Sequence, residues 1–269
     1  MKKYLLLLGI LSFIVSAEAQ TLSEPILLKV QYMARFKRHV EDTSTSEEEK
    51  TLEIGRTRSA FYGRWMYHRD LLMDSLLSRG AGYGEVLGQI SQYPSPKEFY
   101  AIYSHYPNKG QLTYTDKILK PFTYTEEMES LQWELAVKDS LILGYVCNKA
   151  TCSFRGRIWT AYYTPDIPLP SGPWKLSGLP GLILYATDDS GTFSFEAIGI
   201  EKGEGQEVRT PRLKKMNKVS RAGLRKLHRE KDKDPEKFLE RFGASGKGVD
   251  AQGRPLVYKP KTTLFMENE

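Results

Sequence analysis

The chain has 269 residues, enough for one large domain or two small ones. Its composition, 40% hydrophobic and 27% charged, is that of an ordinary globular protein and excludes wholesale disorder and collagen-like structure. The formal net charge is +6 at pH 7, and the excess is local: residues 201–269 hold 18 basic and 11 acidic side chains, whereas residues 1–200 hold 21 and 22. A basic C-terminal part of this kind can meet nucleic acid, an anionic membrane or solvent.

The N-terminus has the three parts of an export signal. Met1-Lys2-Lys3 is basic, residues 4–15 are apolar, and Ser16-Ala17-Glu18-Ala19 has the small-x-small pattern of a cleavage site. The apolar run is shorter than the roughly 20 residues of a membrane-spanning helix. We therefore predict a signal peptide over residues 1–19, with an uncleaved N-terminal anchor as the alternative. The mature chain would begin at Gln20, in the periplasm or outside the cell, which argues against a nucleic-acid partner.

The first third of the chain changes its hydrophobic period once. Residues 26–39 alternate between apolar and polar side chains, which predicts a long half-buried strand. The acidic, Ser/Thr-rich stretch 41–50 predicts an exposed loop, and residues 52–61 predict a second strand. The period then lengthens, which predicts a helix over residues 62–79 that ends at Gly80.

From residue 99 onward the pattern predicts consecutive strands joined by short turns. Turn residues at Pro107-Asn108-Lys109-Gly110 and Asp188-Asp189-Ser190-Gly191 indicate hairpins. The predicted strands are 99–103, 111–116, 133–137, 141–154, 157–164, 182–187 and 192–201. Strands in this arrangement form an antiparallel meander. The predicted fold class is therefore mainly β (α+β): a curved antiparallel sheet or open half-barrel with one or two packed helices and a basic helical C-terminal segment.

The C-terminal quarter differs from the rest. Residues 202–216 predict a polar linker, residues 219–242 a helical region interrupted at Asp234-Pro235, and residues 243–253 a mobile Gly-rich stretch. We therefore predict three parts after the signal peptide, namely an antiparallel β domain over 20–201, a basic, partly helical segment over 202–255 and a C-terminal strand or tail over 256–269.

No motif of a known reaction occurs in the chain. The sequence lacks HExxH, GxSxG and GxxxxGK[ST] patterns. The histidines have no metal-ligand spacing to another His, Cys or acid; they are His39, His68, His105 and His228. We predict no catalytic residue, no metal site and no cofactor.

Cys147 and Cys152 are the only cysteines. An extended strand would separate their Cα atoms by about 16 Å, whereas a disulfide needs about 5–6 Å. The favoured interpretation is therefore two small, buried hydrophobic side chains. A disulfide across a bulge at Asn148-Lys149, and a soft-metal site completed by a Met, remain alternatives.

A Gly- and Pro-rich segment precedes one of the predicted strands. Gly178-Leu179-Pro180-Gly181 lacks the Lys-Ser/Thr pair of a phosphate-binding loop and leads into a strand. Pro180 sets its own φ, and Gly181 is expected to supply φ > 0 after it, which indicates a shaped turn. Together with Ser171-Gly172-Pro173-Trp174-Lys175 it predicts a structured loop that either closes the sheet or forms the rim of a ligand site.

These residues carry a resemblance to a known family. Gly178-Leu179-Pro180-Gly181-Leu182-Ile183 resembles the signature of the GLPGLI family of exported proteins from Bacteroidetes. Three flanking blocks, 144–150, 154–157 and 172–175, are also similar to that family. So is 161–168, with Tyr162 where the family usually has Trp. The specific match covers residues 133–201. It implies export but no particular reaction. More weakly, the strand order is similar to that of LolA-type lipoprotein carriers, which wrap a curved sheet round a helix and hold acyl chains.

Three functions are compatible with these features. The favoured one is a non-enzymatic binding or carrier protein that holds a hydrophobic or lipid-like ligand between the sheet and helix 62–79. The aromatic residues that motivate it are Tyr32, Phe36, Phe61, Trp65, Tyr103, Trp159, Tyr163 and Trp174. The alternative is a structural or interaction protein of an envelope assembly, whose segment 202–255 meets an anionic membrane surface or an envelope protein. A hydrolase using Arg157 with Asp166, Asp188 or Asp189 is the weakest of the three.

The candidate ligand-binding residues all lie in the family-like block. They are Arg157, Trp159, Tyr163, Trp174, Lys175 and Pro180. Arg157 would clamp a carboxylate or phosphate head group, or would satisfy buried carbonyl groups. A purely structural role is the alternative for each of the six.

Overall fold

A computed structural model describes residues 24–243, 254 and 258–268. The predicted signal peptide and nearly all of the Gly-rich stretch 243–253 lie outside the described residues. Twelve strands form one open, curved sheet in the order β12-β6-β5-β4-β3-β2-β1-β11-β10-β9-β8-β7. Neighbouring strands are antiparallel except β12, which runs parallel to β6. The predicted mainly β class with an open antiparallel sheet is confirmed.

The strands are β1 (Leu28–Phe36), β2 (Ser46–Ile54), β3 (Ser59–Gly63), β4 (Ala101–Ser104), β5 (Gln111–Ile118), β6 (Lys120–Glu127), β7 (Glu134–Ile142), β8 (Tyr145–Phe154), β9 (Arg157–Thr164), β10 (Leu182–Asp188), β11 (Phe193–Lys202) and β12 (Asn217–Lys218). The helices are α1 (Arg64–Ser78), α2 (Tyr83–Ile90), α3 (Arg221–Lys233) and α4 (Pro235–Arg241). None of the helices among the described residues is long and apolar enough to cross a membrane.

One face of the sheet, called the core face below, carries the main hydrophobic core. Val30, Leu52, Phe61, Ile102 and Tyr114 are cross-strand partners in β1 to β5 and therefore lie on this face. The first four are almost fully buried. Alternation along each strand sends every second side chain to this face, which is why the period-2 pattern was readable in the sequence.

The connection between β9 and β10, residues 165–181, covers part of the core face and is called the plug loop. Trp174, Leu176 and Leu179 of this loop are buried in the main core. The loop is tied to β10 because Ile183 donates its N–H to the carbonyl of Ser171 at 3.0 Å. The GLPGLI-like block is therefore a core-filling element as well as a turn.

The two glycines of this turn have different physical roles. Gly178 adopts φ +89°, a conformation that side chains disfavour. At Gly181 a Cβ would lie far inside van der Waals distance of the carbonyl oxygen of Thr164. The prediction that Gly181 supplies the positive φ was therefore wrong: Gly178 does so, and Gly181 permits a close backbone approach.

Helix α1 confirms the helix predicted at 62–79, but it packs on the face opposite to the core. Ala60, Tyr62 and Ala101 form a separate small cluster there with Met66 and Tyr67 of α1. A ligand space between the core face and this helix, as the sequence suggested, therefore does not exist.

The C-terminal helices cover the core face instead. Leu224 and Leu227 of α3 and Phe238 of α4 pack on Phe122 and Tyr124 of β6. The predicted helix break at Asp234-Pro235 is confirmed, because the Asp234 side chain accepts a hydrogen bond from the N–H of Lys237 and caps α4.

Residues 258–268, called the C-terminal strap, complete this covering layer. Leu264 donates its N–H to the carbonyl of Arg38 at 2.7 Å, and Val40 donates to the carbonyl of Thr262 at 3.0 Å. Lys261 donates its N–H to the carbonyl of Asp232, the penultimate residue of α3, at 2.8 Å. The strap therefore joins the end of β1 to the end of α3.

The loop predicted at 41–50 was partly wrong, since β2 begins at Ser46. The strand was not predicted because Glu48 and Lys50 look like exposed polar residues in the sequence. In the structure they form an ion pair on the core face. The single strand predicted at 52–61 is likewise two, separated by a turn in which Gly55 donates to the carbonyl of Arg58. Helix α2 and strand β6 were not predicted.

Both cysteines lie in β8 and are unbonded and buried in the main core, in agreement with the favoured interpretation. Five residues apart, they would face opposite sides of a regular strand, but both are buried because β8 changes phase between Cys147 and Ala150. Burial raises the pKa of Cys147 to about 11 and that of Cys152 to about 12. Neither thiol is a nucleophile at neutral pH.

Candidate functional site

A cavity of about 440 Å³ lies between the core face and the layer formed by α3, α4 and the C-terminal strap. Ligand sites typically measure about 300–1,000 Å³. Apolar side chains from each layer line it, among them Ile118, Trp174, Leu224, Phe238, Leu239 and Phe265. This space can therefore hold a small hydrophobic group.

Three stacked tyrosines from neighbouring strands line the cavity on the core face. Tyr100 precedes β4, and Tyr114 and Tyr124 are direct cross-strand partners in β5 and β6. Ring centroids are 5.6 Å apart between Tyr100 and Tyr114 and 5.0 Å apart between Tyr114 and Tyr124, with planes within 13°. We call these residues the tyrosine row.

A buried lysine lies at each end of the tyrosine row. The Lys50 ammonium is 4.4 Å from the centre of the Tyr100 ring and is fully buried. It lies 2.8 Å from Glu48 and 3.1 Å from Glu98. Burial alone would lower the pKa of Lys50, but the two carboxylates outweigh it and raise the pKa above its ordinary value.

Lys175 lies at the other end of the tyrosine row, beside Tyr124. Its ammonium donates to the Tyr124 hydroxyl at 3.1 Å and lies 2.5 Å from carboxylate oxygens of both Glu126 and Glu267. Arg221 of α3 binds the second oxygen of Glu267 at 2.9 Å. The plug loop, β6, α3 and the strap therefore meet in one ionic cluster beside the cavity.

Two histidine–aspartate pairs join α3 to the rest of the molecule. Nε2 of His228 lies 2.7 Å from the Asp116 carboxylate in β5. Nε2 of His39, just after β1, lies 3.1 Å from Asp232 near the end of α3. The sequence could not reveal either pair, since the partners are far apart in the chain.

Arg225 of α3 is a cation on the cavity wall with no carboxylate partner among the described residues. Its Nε is shielded from solvent and makes no hydrogen bond within the described part of the chain. The guanidinium carbon lies 4.8 Å from the centre of the Phe265 ring. Burial, reinforced by the charge of Arg229, lowers the pKa of Arg225.

The six residues predicted as ligand-binding fall in three places. Trp174 lines the cavity, and Lys175 lies beside it in the ionic cluster. Trp159 and Tyr163 are buried in the main core, where the Trp159 ring lies 5.3 Å from that of Trp174. Pro180 is exposed in the turn of the plug loop. Their roles in binding stay predictions.

Arg157, the sixth, holds the strap. Its guanidinium lies 2.6 Å from the buried carboxylate of Asp188 and donates to the carbonyl of Phe265 at 2.6 and 3.1 Å. The strap is also held by the backbone of the same block, because the main-chain carbonyl of Arg155 accepts a hydrogen bond from the N–H of Asn268 at 2.8 Å. Of the two roles considered for Arg157, the structure displays the binding of a buried carbonyl.

The acids considered for a hydrolase do not converge. Asp188 is committed to Arg157 and to the N–H of Phe193 at 2.8 Å. Asp189 follows it in a turn at one end of β10, whereas Asp166 is exposed beyond the other end of β9. Among the described residues, no three His, Cys, Asp or Glu side chains are grouped as metal ligands would be.

Sequence reasoning missed the tyrosine row and Arg225, and it placed the strap in a C-terminal strand or tail over 256–269 without its contacts to β1 and α3. Tyr114 and Tyr124 were readable as alternate residues of strands, but β6 itself was not predicted. Arg225 begins a run of charged residues, 225–233, that is typical of a solvated helix face, although Leu224 beside it is buried. The spacing of Leu224, His228 and Lys231, which all line the cavity, was the available signal for an inward stripe.

Fold and site together define the class: a mainly β protein with an open antiparallel sheet and an internal cavity under C-terminal helices. Within that class, residues 153–185 match the family described as "Protein of unknown function (Porph_ging)", which confirms the resemblance to the GLPGLI type. The GLPGLI signature lies inside the matched residues. A comparison with curated proteins found no match.

Two solved structures with similar folds are described as PNGF-II in two space groups. They are 11% and 12% identical to this chain, with TM-scores of 0.48 and 0.49. The alignments cover 75% and 76% of this chain but 32% of the PNGF-II chains, so the protein spans about a third of their length. At this identity and TM-score the likeness carries no functional argument. The similarity to LolA-type carriers rests on strand order and stays a prediction.

Proposed function

We propose that the protein is an exported, non-enzymatic binding or carrier protein that holds a hydrophobic, lipid-like ligand in the cavity beneath α3, α4 and the C-terminal strap. The observation that carries the proposal is the cavity itself, about 440 Å³ and lined largely by aromatic and aliphatic side chains. The apolar side chains of the cavity wall are not in contact with other protein atoms on the cavity side. Removing such surface from water is favourable, and a bound hydrophobic ligand would do so.

The layout of charges around the cavity supports binding. An ionic group lies at each end of the tyrosine row on the cavity wall. One is the cluster of Lys175, Glu126 and Glu267, and the other is the pair of Lys50 with Glu48. These groups hold neighbouring elements together and leave the apolar wall between them. A preformed, rigid wall lowers the entropic cost of binding.

Titration with N-phenyl-1-naphthylamine, an uncharged fluorescent probe of hydrophobic sites, tests this proposal. We expect saturable binding to the purified protein. Leu224→Trp and Leu239→Trp place an indole on the cavity wall and should weaken binding about 10-fold or more, since each removes space and contact area. Leu77→Trp, at an exposed position of α1, is the matched control and should leave binding unchanged.

Circular dichroism establishes that each variant is folded. The proposal fails if the native protein shows no saturable binding. It also fails if folded Leu224→Trp and Leu239→Trp variants bind as tightly as the Leu77→Trp control.

Export through residues 1–19 and a location in the periplasm or outside the cell belong to this proposal, and they are supported by the N-terminal pattern of basic, apolar and small residues. The alternative, contact of segment 202–255 with an anionic membrane or an envelope protein, stays a prediction. The inner side of α3 forms part of the cavity wall, which favours the ligand-binding role for this segment.

A further inference from the structure

We propose that the ligand is an anionic amphiphile, whose carboxylate or phosphate head group pairs with Arg225 and whose single hydrophobic chain lies against the tyrosine row and Phe265. The inference rests on the proposed function and adds the chemical class of the ligand. It depends on the charges of the cavity wall and on two polar groups without a hydrogen-bond partner among the described residues, the Nε of Arg225 and the hydroxyl of Tyr100.

The acidic residues on the cavity wall are already paired. Glu98 lies 3.1 Å from the Lys50 ammonium, and Glu267 lies 2.5 Å from that of Lys175. Asp116 contacts His228, and Asp232 contacts His39 and, at 3.1 Å, the Lys231 ammonium. Each of these carboxylates therefore already has a polar partner within the described residues.

The basic residues on the wall are in excess. Arg38, Lys97 and Arg225 line the cavity, and no carboxylate of the described residues forms an ion pair with any of them. Arg38 donates instead to the backbone carbonyl of Lys97 at 3.1 Å. Arg38 and Lys97 are exposed, so solvent screens their charges, and Arg225 is left as the partly buried base without an ion pair.

Arg225 is the strongest candidate for the head-group contact. Its Nε is removed from water and unbonded, and burial together with the nearby charge of Arg229 disfavours its charged form. Arg225 is only partly buried, but its buried Nε makes no hydrogen bond, and an unsatisfied buried donor costs free energy. A carboxylate or phosphate would remove this cost by accepting the parallel hydrogen bonds that a guanidinium offers.

Tyr100 provides the second unpartnered group. It is 3% exposed, it lines the cavity, and its hydroxyl has no hydrogen-bond partner among the described residues. Burial and the nearby carboxylate of Glu98 raise its pKa well above the ordinary value, so the hydroxyl keeps its proton and can donate. Tyr100 therefore adds an unused hydrogen-bond donor to the cavity wall.

The apolar walls and the size set the rest of the ligand. The cavity volume of about 440 Å³ lies near the lower end of the range for ligand sites, which favours one chain over two. Phe265 of the strap lies beneath α3, within cation–π distance of Arg225. The polar part of the cavity wall therefore meets the apolar part at Arg225 and Phe265.

Displacement of N-phenyl-1-naphthylamine by oleate, by oleoyl lysophosphatidate and by uncharged monoolein tests the inference. We expect the two anions to bind about 10-fold tighter than monoolein, in line with one charge-assisted hydrogen-bond pair. Arg225→Gln should remove this preference by weakening the binding of the two anions more than that of monoolein, whereas Arg225→Lys should retain part of it. Lys226→Gln is the matched control, because Lys226 is an exposed neighbour on α3.

The outcomes separate the two proposals. If monoolein binds as tightly as oleate and Arg225→Gln changes neither, the anionic head group is wrong while the hydrophobic site stands. If no amphiphile displaces the probe, both proposals fail. Inorganic phosphate is the last competitor: displacement of oleate by phosphate alone at similar concentrations would mean a site for a bare anion and would overturn the inference.

Discussion

Arg157 and Asp188 form a buried ion pair that also fixes the C-terminal strap. Their side chains are 6% and 0% exposed, and the shortest distance between them is 2.6 Å. Asp188 is further bonded to the N–H of Phe193, and Arg157 to the carbonyl of Phe265. Removing either partner leaves a buried charge without compensation.

We therefore expect Arg157→Gln to lower the free energy of unfolding by about 3–5 kcal/mol. Arg79→Gln breaks the exposed pair with Glu85 and should cost about 1 kcal/mol or less. Urea unfolding followed by tryptophan fluorescence measures both. Equal, small losses for the two variants would contradict the structural role assigned to Arg157.

Two glycines restrict the backbone of the plug loop in different ways. Gly178 has a positive φ, with open space around the position where a Cβ would be. Gly181 has ordinary φ but lies against the backbone of Thr164, so a side chain there meets a carbonyl oxygen that cannot easily move. Glycine is thus needed at both positions for different reasons: the backbone conformation at Gly178 and the close backbone contact at Gly181.

Gly178→Ala should cost about 1–2 kcal/mol, the usual cost of a left-handed conformation for a residue with a Cβ. Gly181→Ala should cost more, about 3 kcal/mol, because it forces β9 and the loop apart. Thermal unfolding of both variants compares them directly. If Gly178→Ala is the more damaging change, the close approach at Gly181 does not limit the loop.

At the scale of the whole molecule, the C-terminal strap connects the sheet to α3 and covers part of the cavity. Asp42 is central to this contact, since its carboxylate accepts hydrogen bonds from Lys261 at 3.1 Å and from the N–H of His39 at 3.1 Å. Burial alone would raise the pKa of Asp42, but these bonds outweigh it and hold the pKa at about 2. The folded state therefore favours the ionised form.

A lowered pKa in the folded state gives stability that is complete above the unfolded pKa near 4 and is lost as the pH falls towards 2. We expect Asp42→Asn to reduce the free energy of unfolding by about 1 kcal/mol at pH 7. The difference from the native protein should vanish near pH 2. Urea unfolding at pH 7, 4 and 2.5 tests this, with Asp189→Asn in an exposed turn as control. A deficit that is constant across this range would refute the linkage.

Local pattern explains which parts of the fold were predictable. Residues 26–39 show regular alternation and contain β1 (Leu28–Phe36), and the turn at Asp188-Asp189-Ser190-Gly191 joins β10 to β11. Strand β2 was misread because Glu48 and Lys50 place charges on the core side, where they neutralise each other. A buried ion pair looks like exposed polar sequence until its partners are known.

The candidate site was less predictable than the fold. Trp174 and Lys175 were singled out from the family-like block, and they lie at or beside the cavity. Arg225 was not singled out, because nothing in a run of charged residues marks the one that faces the cavity. Tyr100 was likewise not singled out, since its unpartnered hydroxyl is a property of its surroundings.

The sequence by itself determined the mainly β class, the order of most strands and hairpins, and the family-like block around GLPGLI. These follow from side-chain alternation and turn residues, which act over a few positions. Only the tertiary structure decided that α1 lies on the outer face and that α3, α4 and the strap enclose a cavity on the core face. It also brought Arg157 to Phe265 and Lys175 to Glu267, 108 and 92 residues apart. The physical reason is that charge pairing and apolar packing depend on distance in space, whereas the sequence pattern reports only on neighbours along the chain.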